Sequence, residues 1–508
     1  MSISGSSSEI EEQATSGQTA PAFAGAASMR HLARLRAWLR QALFRQTAGG
    51  PIGMRKILAA LAFVIVGAAI SLSRTRGPGA LNTIWIEDAG NFLEDALHQS
   101  VMTTLTTQMN GYYDVVPRSL TAIAVLFPLR WTPAVMSIFA AMEYAGFGLI
   151  AYIASGPHLR SRWLRLLIAA PACLVPLGYT QANNDLATVQ FVALYGTFWL
   201  LLWIPATRGG RVISPIIMLG VTLSSILPIC FAPLVAARLF VDRTKSTVFM
   251  CSFWLLGLAA QESVQLRGMS NRPTGWYTSP LWVLEKYISR TVPRAIFGEK
   301  ALGGPGTNAE GMPAPLHIPN QTEHLILIAA AWVVLLVVIV IALARVTDPH
   351  WPLAVTAGLF SVIIFLGEIV DNLKIVQPRY VIAPALLLYA AIVALLRPRG
   401  VMSAAAASHP PAPTHRPGPR QSPRTAWLAG SRSPLTWYPV AAFAILLAIV
   451  CGLNFRVSNT RSSSPPWSSV VARAQLYCER PGVTSYEYAH AWWRVHIPCS
   501  RVSRPSAK

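Results

Sequence analysis

Residues 56–73, KILAALAFVIVGAAISLS, carry a single charge, at their first position. A helix rises about 1.5 Å per residue, so this run reaches about 27 Å, close to the roughly 30 Å of a bilayer core. The rest of the chain agrees with a membrane span here: it is 53% hydrophobic and 12% charged, with mean hydropathy +0.44. For 508 residues, that composition points to an all-α polytopic membrane protein rather than to several soluble domains. The formal charge is +21, but Lys and Arg fall in short clusters between apolar runs, the pattern of the positive-inside rule. This distribution argues against a nucleic-acid partner.

The basic flank Arg55-Lys56 sets the N-terminal side of this span in the cytoplasm. Upstream, 1–27 reads as a disordered tail rich in Ser, Ala, Gly and Gln. Residues 28–55 form a basic amphipathic cytoplasmic segment, with Arg30, Arg34, Arg40 and Arg45 among Leu32, Leu35, Trp38, Leu39, Leu43 and Phe44. It suits either contact with an anionic leaflet or simple retention that fixes orientation. Downstream, 56–397 is the transmembrane core, with external loops at 74–131 and 261–323. Ser119–Leu129 is too short to cross and reads as juxtamembrane or re-entrant.

Further crossings are expected near 132–154, 166–180, 186–205, 246–260, 324–345, 351–369 and 381–397. Residues 213–237 have basic clusters on both sides and read as a short helical hairpin broken near Ser224, Ser225 and Pro228. A disordered basic cytoplasmic linker at 398–435, a last transmembrane helix at 436–453 and an extracytoplasmic tail at 454–508 complete about eleven passes of a plasma-membrane protein. Cys478 and Cys499 then lie outside, where a disulfide persists, although sequence does not show that they approach. Cys173, Cys230, Cys251 and Cys451 lie in apolar runs and behave as small hydrophobes.

Chemistry concentrates in residues 81–118, LNTIWIEDAGNFLEDALHQSVMTTLTTQMNGYYDVVPR, which hold Glu87, Asp88, Glu94, Asp95 and Asp114 of only 21 acids. A helix over 84–98 puts Ile84, Asp88 and Asp95 near one face and makes an apolar stripe of Trp85, Ala89, Phe92 and Ala96. Such acids are functional, or they merely solubilise an interfacial helix. Arg118 and Arg379, at the outer ends of apolar segments, are either phosphate ligands or snorkelling anchors. Tyr112, Tyr113 and Tyr380 bind substrate or belong to an aromatic belt.

The polar tip with Asn183, Asn184 and Asp185 contacts a sugar or makes a tight turn. Glu143, inside a span, is functional or paired. Glu262, Arg272 and Trp276 open the long loop and read as part of a lid. No His-x-x-x-His, Cys-x-x-Cys or P-loop pattern is present, and His98 near Asp95 is an isolated coincidence, so no metal or cofactor is expected.

WIEDAGNF (85–92), GYYDVVPR (111–118) and QPRY (377–380), set in this topology, resemble the GT-C superfamily of integral membrane glycosyltransferases. Those enzymes use polyprenyl-phosphate or polyprenyl-diphosphate sugars and carry an acidic motif just after the first span. The resemblance implies inverting transfer of a sugar to a glycan, lipid or protein acceptor of the envelope, on the extracytoplasmic face. It implies Asp88, or failing that Glu87, as base, and Arg118, Arg379, Tyr112, Tyr113, Tyr380, Asn184 and Asp185 as substrate-binding residues. The Glu-Asp order departs from the family's Asp-Glu, which leaves the identity of the base open. The rival expectation is a transporter or flippase for a lipid-linked or small polar substrate, which places ionisable groups near the midplane. A non-catalytic envelope assembly protein is a third.

Overall fold

The computed structural model describes residues 22–47, 53–109, 111–178, 181, 184–267, 279–302, 305–307, 313–315, 320–371, 377–399, 434–456, 459–490 and 493–502. Most of the expected tail 1–27, nearly all of the linker 398–435, and also Asn183, Arg272 and Trp276 lie outside the described residues. The described part is helical, with three two-stranded antiparallel hairpins. A helix already runs over Ala22–Ala42, so helical backbone begins within the expected tail.

Among the described residues seven helices are long and apolar enough to cross a membrane: Met54–Leu72, Leu129–Ala154, Lys245–Val264, Gln321–Leu343, Trp351–Val370, Pro378–Leu395 and Leu435–Leu453. Met54–Leu72 exposes Leu58, Leu61, Ile65 and Val66 and turns Gly67 inward. A Cβ on Gly67 would meet the Cys173 sulfur at 2.9 Å and the Ala145 Cβ at 3.0 Å, so only glycine permits this three-helix approach. Gln321–Leu343 opens on a capping box in which Asn320 and Glu323 each accept the other's backbone N–H.

The other expected crossings fall on shorter helices: Arg162–Leu174, Val189–Leu202, Arg208–Ser224 and Ala232–Val241. At 10 to 17 residues they extend about 15 to 26 Å. The break expected near Ser224 and Pro228 is present: Ser225 is extended, and a 3-10 turn over Leu227–Phe231 leads into the next helix. The helix before it starts at Arg208, five residues ahead of the expected hairpin. Protein groups meet the freed backbone, since Gln261 donates to the Thr222 carbonyl and the Ser225 hydroxyl accepts from the Leu227 N–H.

Hydrogen bonds sort the loops to two ends of the bundle. At one end Arg36 reaches the Val241 carbonyl, Gln46 bridges to Ile204, and Arg397 joins the His158 carbonyl to Asp348. At the other, Ser71 bonds Asn184, Ser137 bonds the Ala80 carbonyl, Gln261 brackets the Tyr113 backbone, and the Ser224 hydroxyl accepts from Val116. The first end carries the basic clusters and the second the acidic segment. Val189–Leu202 and Ile382–Leu395 are buried over nearly their whole length and form the axis on which the others pack.

Residues 261–323, expected as a partly irregular loop, are partly helical, over Pro280–Lys286 and Val292–Phe297 with a π turn between. The Tyr287 hydroxyl pairs with Ser361, and the Ala295 carbonyl accepts from Tyr389, which fastens this segment to the bundle. Val115–Ala124 is the short helix expected next to the membrane, placed about four residues earlier than its apolar run suggested.

Candidate functional site

The acidic segment does not form the single amphipathic helix that its spacing suggests. A π-helical turn over Asp88–Leu93 precedes an α-helical turn over Glu94–His98. The wider turn adds a residue per rotation, and such turns recur at functional sites. Asp88, Ala89, Phe92 and Leu93 are all buried, so the segment sits inside the protein rather than along a surface with one acidic edge.

Asp88 is 2% exposed, and its two oxygens accept the backbone N–H groups of Leu186 and Ala187, both at 3.0 Å. The neighbouring Asp185 accepts the N–H and hydroxyl of Thr188, whose oxygen also meets Tyr144 at 3.0 Å. Asn184, at φ +56°, exchanges hydrogen bonds with the Ser71 hydroxyl and carbonyl. The Arg461 guanidinium, contributed by the tail, closes this cluster. It donates to the carbonyls of Asn184, Ala80 and Thr83 and to the hydroxyls of Thr83 and Ser137. Burial, then the Asp185 charge, push the Asp88 carboxyl well above the usual carboxylate range, against the pull of the Leu186 N–H, Arg461 and the Ala187 N–H. The expected base is therefore enclosed with both oxygens engaged, and Asn184 and Asp185 shape a turn instead of lining an open sugar site.

Glu87 faces the other way, toward the 3-10 turn Pro378–Val381. Its Oε1 lies 2.9 Å from Arg379 Nη1, and the two side chains keep 23% and 19% exposure. Glu87 Oε2 and Arg379 Nε have no hydrogen-bond partner among the described residues. The Arg379 guanidinium lies over the rings of Phe191 and Tyr380, 5.9 and 5.7 Å from their centroids. Tyr112 completes the group, its hydroxyl accepting from Gln190 at 3.4 Å. Glu87, Arg379, Tyr112 and Tyr380 are thus brought together from three distant stretches of chain.

The remaining candidates lie apart. Arg118 is buried and paired with Asp95 at 2.6 Å, with Phe92 beneath it, so it is neither a headgroup anchor nor an open phosphate ligand in this structure. Tyr113 is held through its backbone by Gln261. Glu262 is exposed. His98 contacts Glu94 and the His496 carbonyl rather than Asp95. Among the described residues no group of three or more His, Cys, Asp or Glu side chains is arranged to hold a metal.

Glu143 lines an apolar cavity of about 590 Å³ between the helices that carry Phe147, Val189 and Ile217. Val116, Pro117 and Gln190 border this cavity too, and Gln190 is the residue that bonds Tyr112.

The tail forms the Cys478–Cys499 disulfide that its outside location allows, but its part in this site was not legible in the sequence. Cys478 and Cys499 are joined, with Cα atoms 5.4 Å apart, and tie the Trp467–Cys478 helix to the end of the hairpin Ser485–His490/Trp493–Pro498. That hairpin lies against the acidic segment. Glu94 accepts the His496 N–H at 2.6 Å and meets its Nδ1 at 2.9 Å, and Gly90 lets the Trp493 Cβ and Arg494 carbonyl come close. The one sequence trace of Arg461 is the Asn459/Ser462 capping box around it. No family model and no curated protein matches this chain.

Proposed function

We propose that this chain is a membrane glycosyltransferase of the GT-C kind, which moves a sugar from a polyprenyl-phosphate donor to an envelope acceptor with inversion, and that Glu87 is its base. The Glu87–Arg379 pair carries the reading: a mostly buried carboxylate with one oxygen that has no partner among the described residues, held by a guanidinium whose Nε also has none there. A donor phosphate competes with Glu87 for Arg379 and offers the planar fork two oxygens in place of one. The carboxylate released by that exchange accepts the proton of the acceptor hydroxyl. The hydroxyl oxygen bonds to the anomeric carbon, the bond from that carbon to the phosphate oxygen breaks, and the lipid phosphate leaves with the electron pair, facing Arg379.

A further observation supports it. The apolar cavity beside Gln190 and Pro117 has the volume and lining for the first isoprene units of a donor. On this reading the short helices at 162–174, 189–202, 208–224 and 227–241 are taken as four further crossings beside the seven long, apolar helices, for about eleven in all.

The test is sugar transfer from a panel of radiolabelled polyprenyl-phosphate donors by protein reconstituted in lipid. Glu87→Gln is expected to lower turnover at least about a hundredfold with the protein still folded, and Arg379→Lys to raise KM more than it lowers kcat. Wild-type turnover in Glu87→Gln would sink the assignment.

One observation favours the rival transporter or flippase: Glu143 stands in the middle of a span, against an apolar cavity, with no hydrogen bond to its Oε2 among the described residues. Substrate uptake by proteoliposomes that fails in Glu143→Gln and survives in Glu87→Gln would establish it.

A further inference from the structure

At the basic end of the bundle a second cavity, of about 630 Å³, opens between the 203–211 and 241–249 turns. Its polar wall holds Arg211, Arg243, Lys245 and Ser246, and its apolar wall Ile204 and Phe249. The single acid in the lining, Asp242, is already engaged by the Thr244 N–H and the hydroxyls of Thr244 and Thr247. Arg238 is consumed structurally, donating to the carbonyls of Leu200, Leu201 and Trp203 and to Thr247. Arg211 donates to the Pro205 and Ala206 carbonyls and is linked across the cavity through Ser246. Arg243 and Lys245 are exposed and make no ion pair or side-chain hydrogen bond among the described residues. Positive charge therefore exceeds what the protein itself neutralises here.

Three features favour a lipid headgroup as the anion such a surplus of positive charge would attract. The apolar wall runs on from exposed Phe249 to exposed Val248, and exposed Val212 and Ile213 follow Arg211 on the facing helix, so a molecule with its head in the cavity finds a strip for acyl chains beside it. The Ala22–Ala42 helix adjoins the cavity, with Arg36 bonded to the Val241 carbonyl and Gln46, just past its end, in the lining. That helix leaves Met29, Leu32, Leu35 and Trp38 exposed beside Arg30, Arg34 and Arg40, as an interfacial helix at headgroup depth does. We propose that this cavity is a binding site for the phosphate of an anionic phospholipid of the leaflet facing the basic loops, contacted by Arg243 and Lys245, with the Ala22–Ala42 helix lying on the same leaflet.

The experiment titrates full-length protein in detergent with dioleoyl-phosphatidylglycerol or dioleoyl-phosphatidylcholine and counts bound lipid by native mass spectrometry. Wild type is expected to take its first phosphatidylglycerol at least tenfold more tightly than phosphatidylcholine. Arg243→Gln with Lys245→Gln is expected to abolish that preference, since each basic residue near an anionic headgroup is worth roughly a factor of five and the two together exceed tenfold. Both positions are exposed, so the thermal unfolding midpoint should not move. Arg55→Gln with Arg162→Gln, outside the cavity, should keep the wild-type preference. No preference in wild type, or an equal loss in the Arg55/Arg162 pair, would overturn the site. Displacement of phosphatidylglycerol by millimolar inorganic phosphate would overturn its assignment to a lipid.

Discussion

Glu87 and Asp88 are neighbours in sequence and opposites in environment. Asp88 is sealed among backbone donors, a second carboxylate and an arginine that arrives from the tail, with both oxygens engaged. Glu87 has one oxygen engaged, a partner that is itself only partly satisfied, and contact with solvent. Adjacent positions on a helical turn point about 100° apart, and here that angle separates a group that holds the protein together from one free to exchange partners. A buried carboxylate with both oxygens engaged makes architecture; chemistry needs the one with an oxygen left over.

The sharpest way to break the contrast is to open the closed side. Arg461→Met removes the guanidinium that faces Asp88 and Asp185 and leaves two buried carboxylates without it, which should cost about 3–5 kcal/mol. Most folded protein should be lost, as read by thermal unfolding of the detergent-solubilised chain. Replacing Cys478 and Cys499 by Ser frees a 21-residue loop and should cost about 3 kcal/mol. Faster amide exchange should appear in the tail hairpin first and in 88–98 second.

Asp88→Asn probes the closed side through pH. Burial and Asp185 raise this carboxyl, so the folded state holds the proton more tightly than the unfolded state. The stability it contributes is complete below the unfolded value near pH 3.9 and is lost as pH rises through the higher folded value. The unfolding midpoint should fall as pH rises above about 4. Asp88→Asn should remove that slope while costing about 1–3 kcal/mol, because an amide N–H then confronts a backbone N–H. The smallest effect is expected of His496→Ala, which removes a half-exposed contact to Glu94 worth less than about 1 kcal/mol after solvent screening.

Hydropathy made the long spans legible because lipid imposes one rule on every residue that faces it, and 56–73 and 324–345 obey it openly. The break at Ser224–Pro228 was legible for a related reason, since basic clusters on both sides forbid a single crossing. Glu87, Arg379, Tyr112 and Tyr380 were each singled out, yet nothing local could show that Glu87 meets Arg379 across 292 residues. Which of the two acids is enclosed was illegible as well. It depends on a π turn and on the 184–188 turn donating its N–H groups, and no spacing rule for an α-helix contains either. Arg118 reads equally as a phosphate ligand or an interfacial anchor because its partner, Asp95, shares no recognisable register with it.

The reach of Arg461 also orders events in time. It caps the Asn184 carbonyl from 277 residues downstream, an interval of about 15 to 55 s at ordinary rates of synthesis. Throughout that interval the nascent chain carries Asp88 and Asp185 without their countercharge, and the last apolar helix must insert before the arginine can be delivered. A chain that stops before residue 461 lacks that guanidinium, so the cluster around Asp88 and Asp185 is completed only after the last apolar helix has been made.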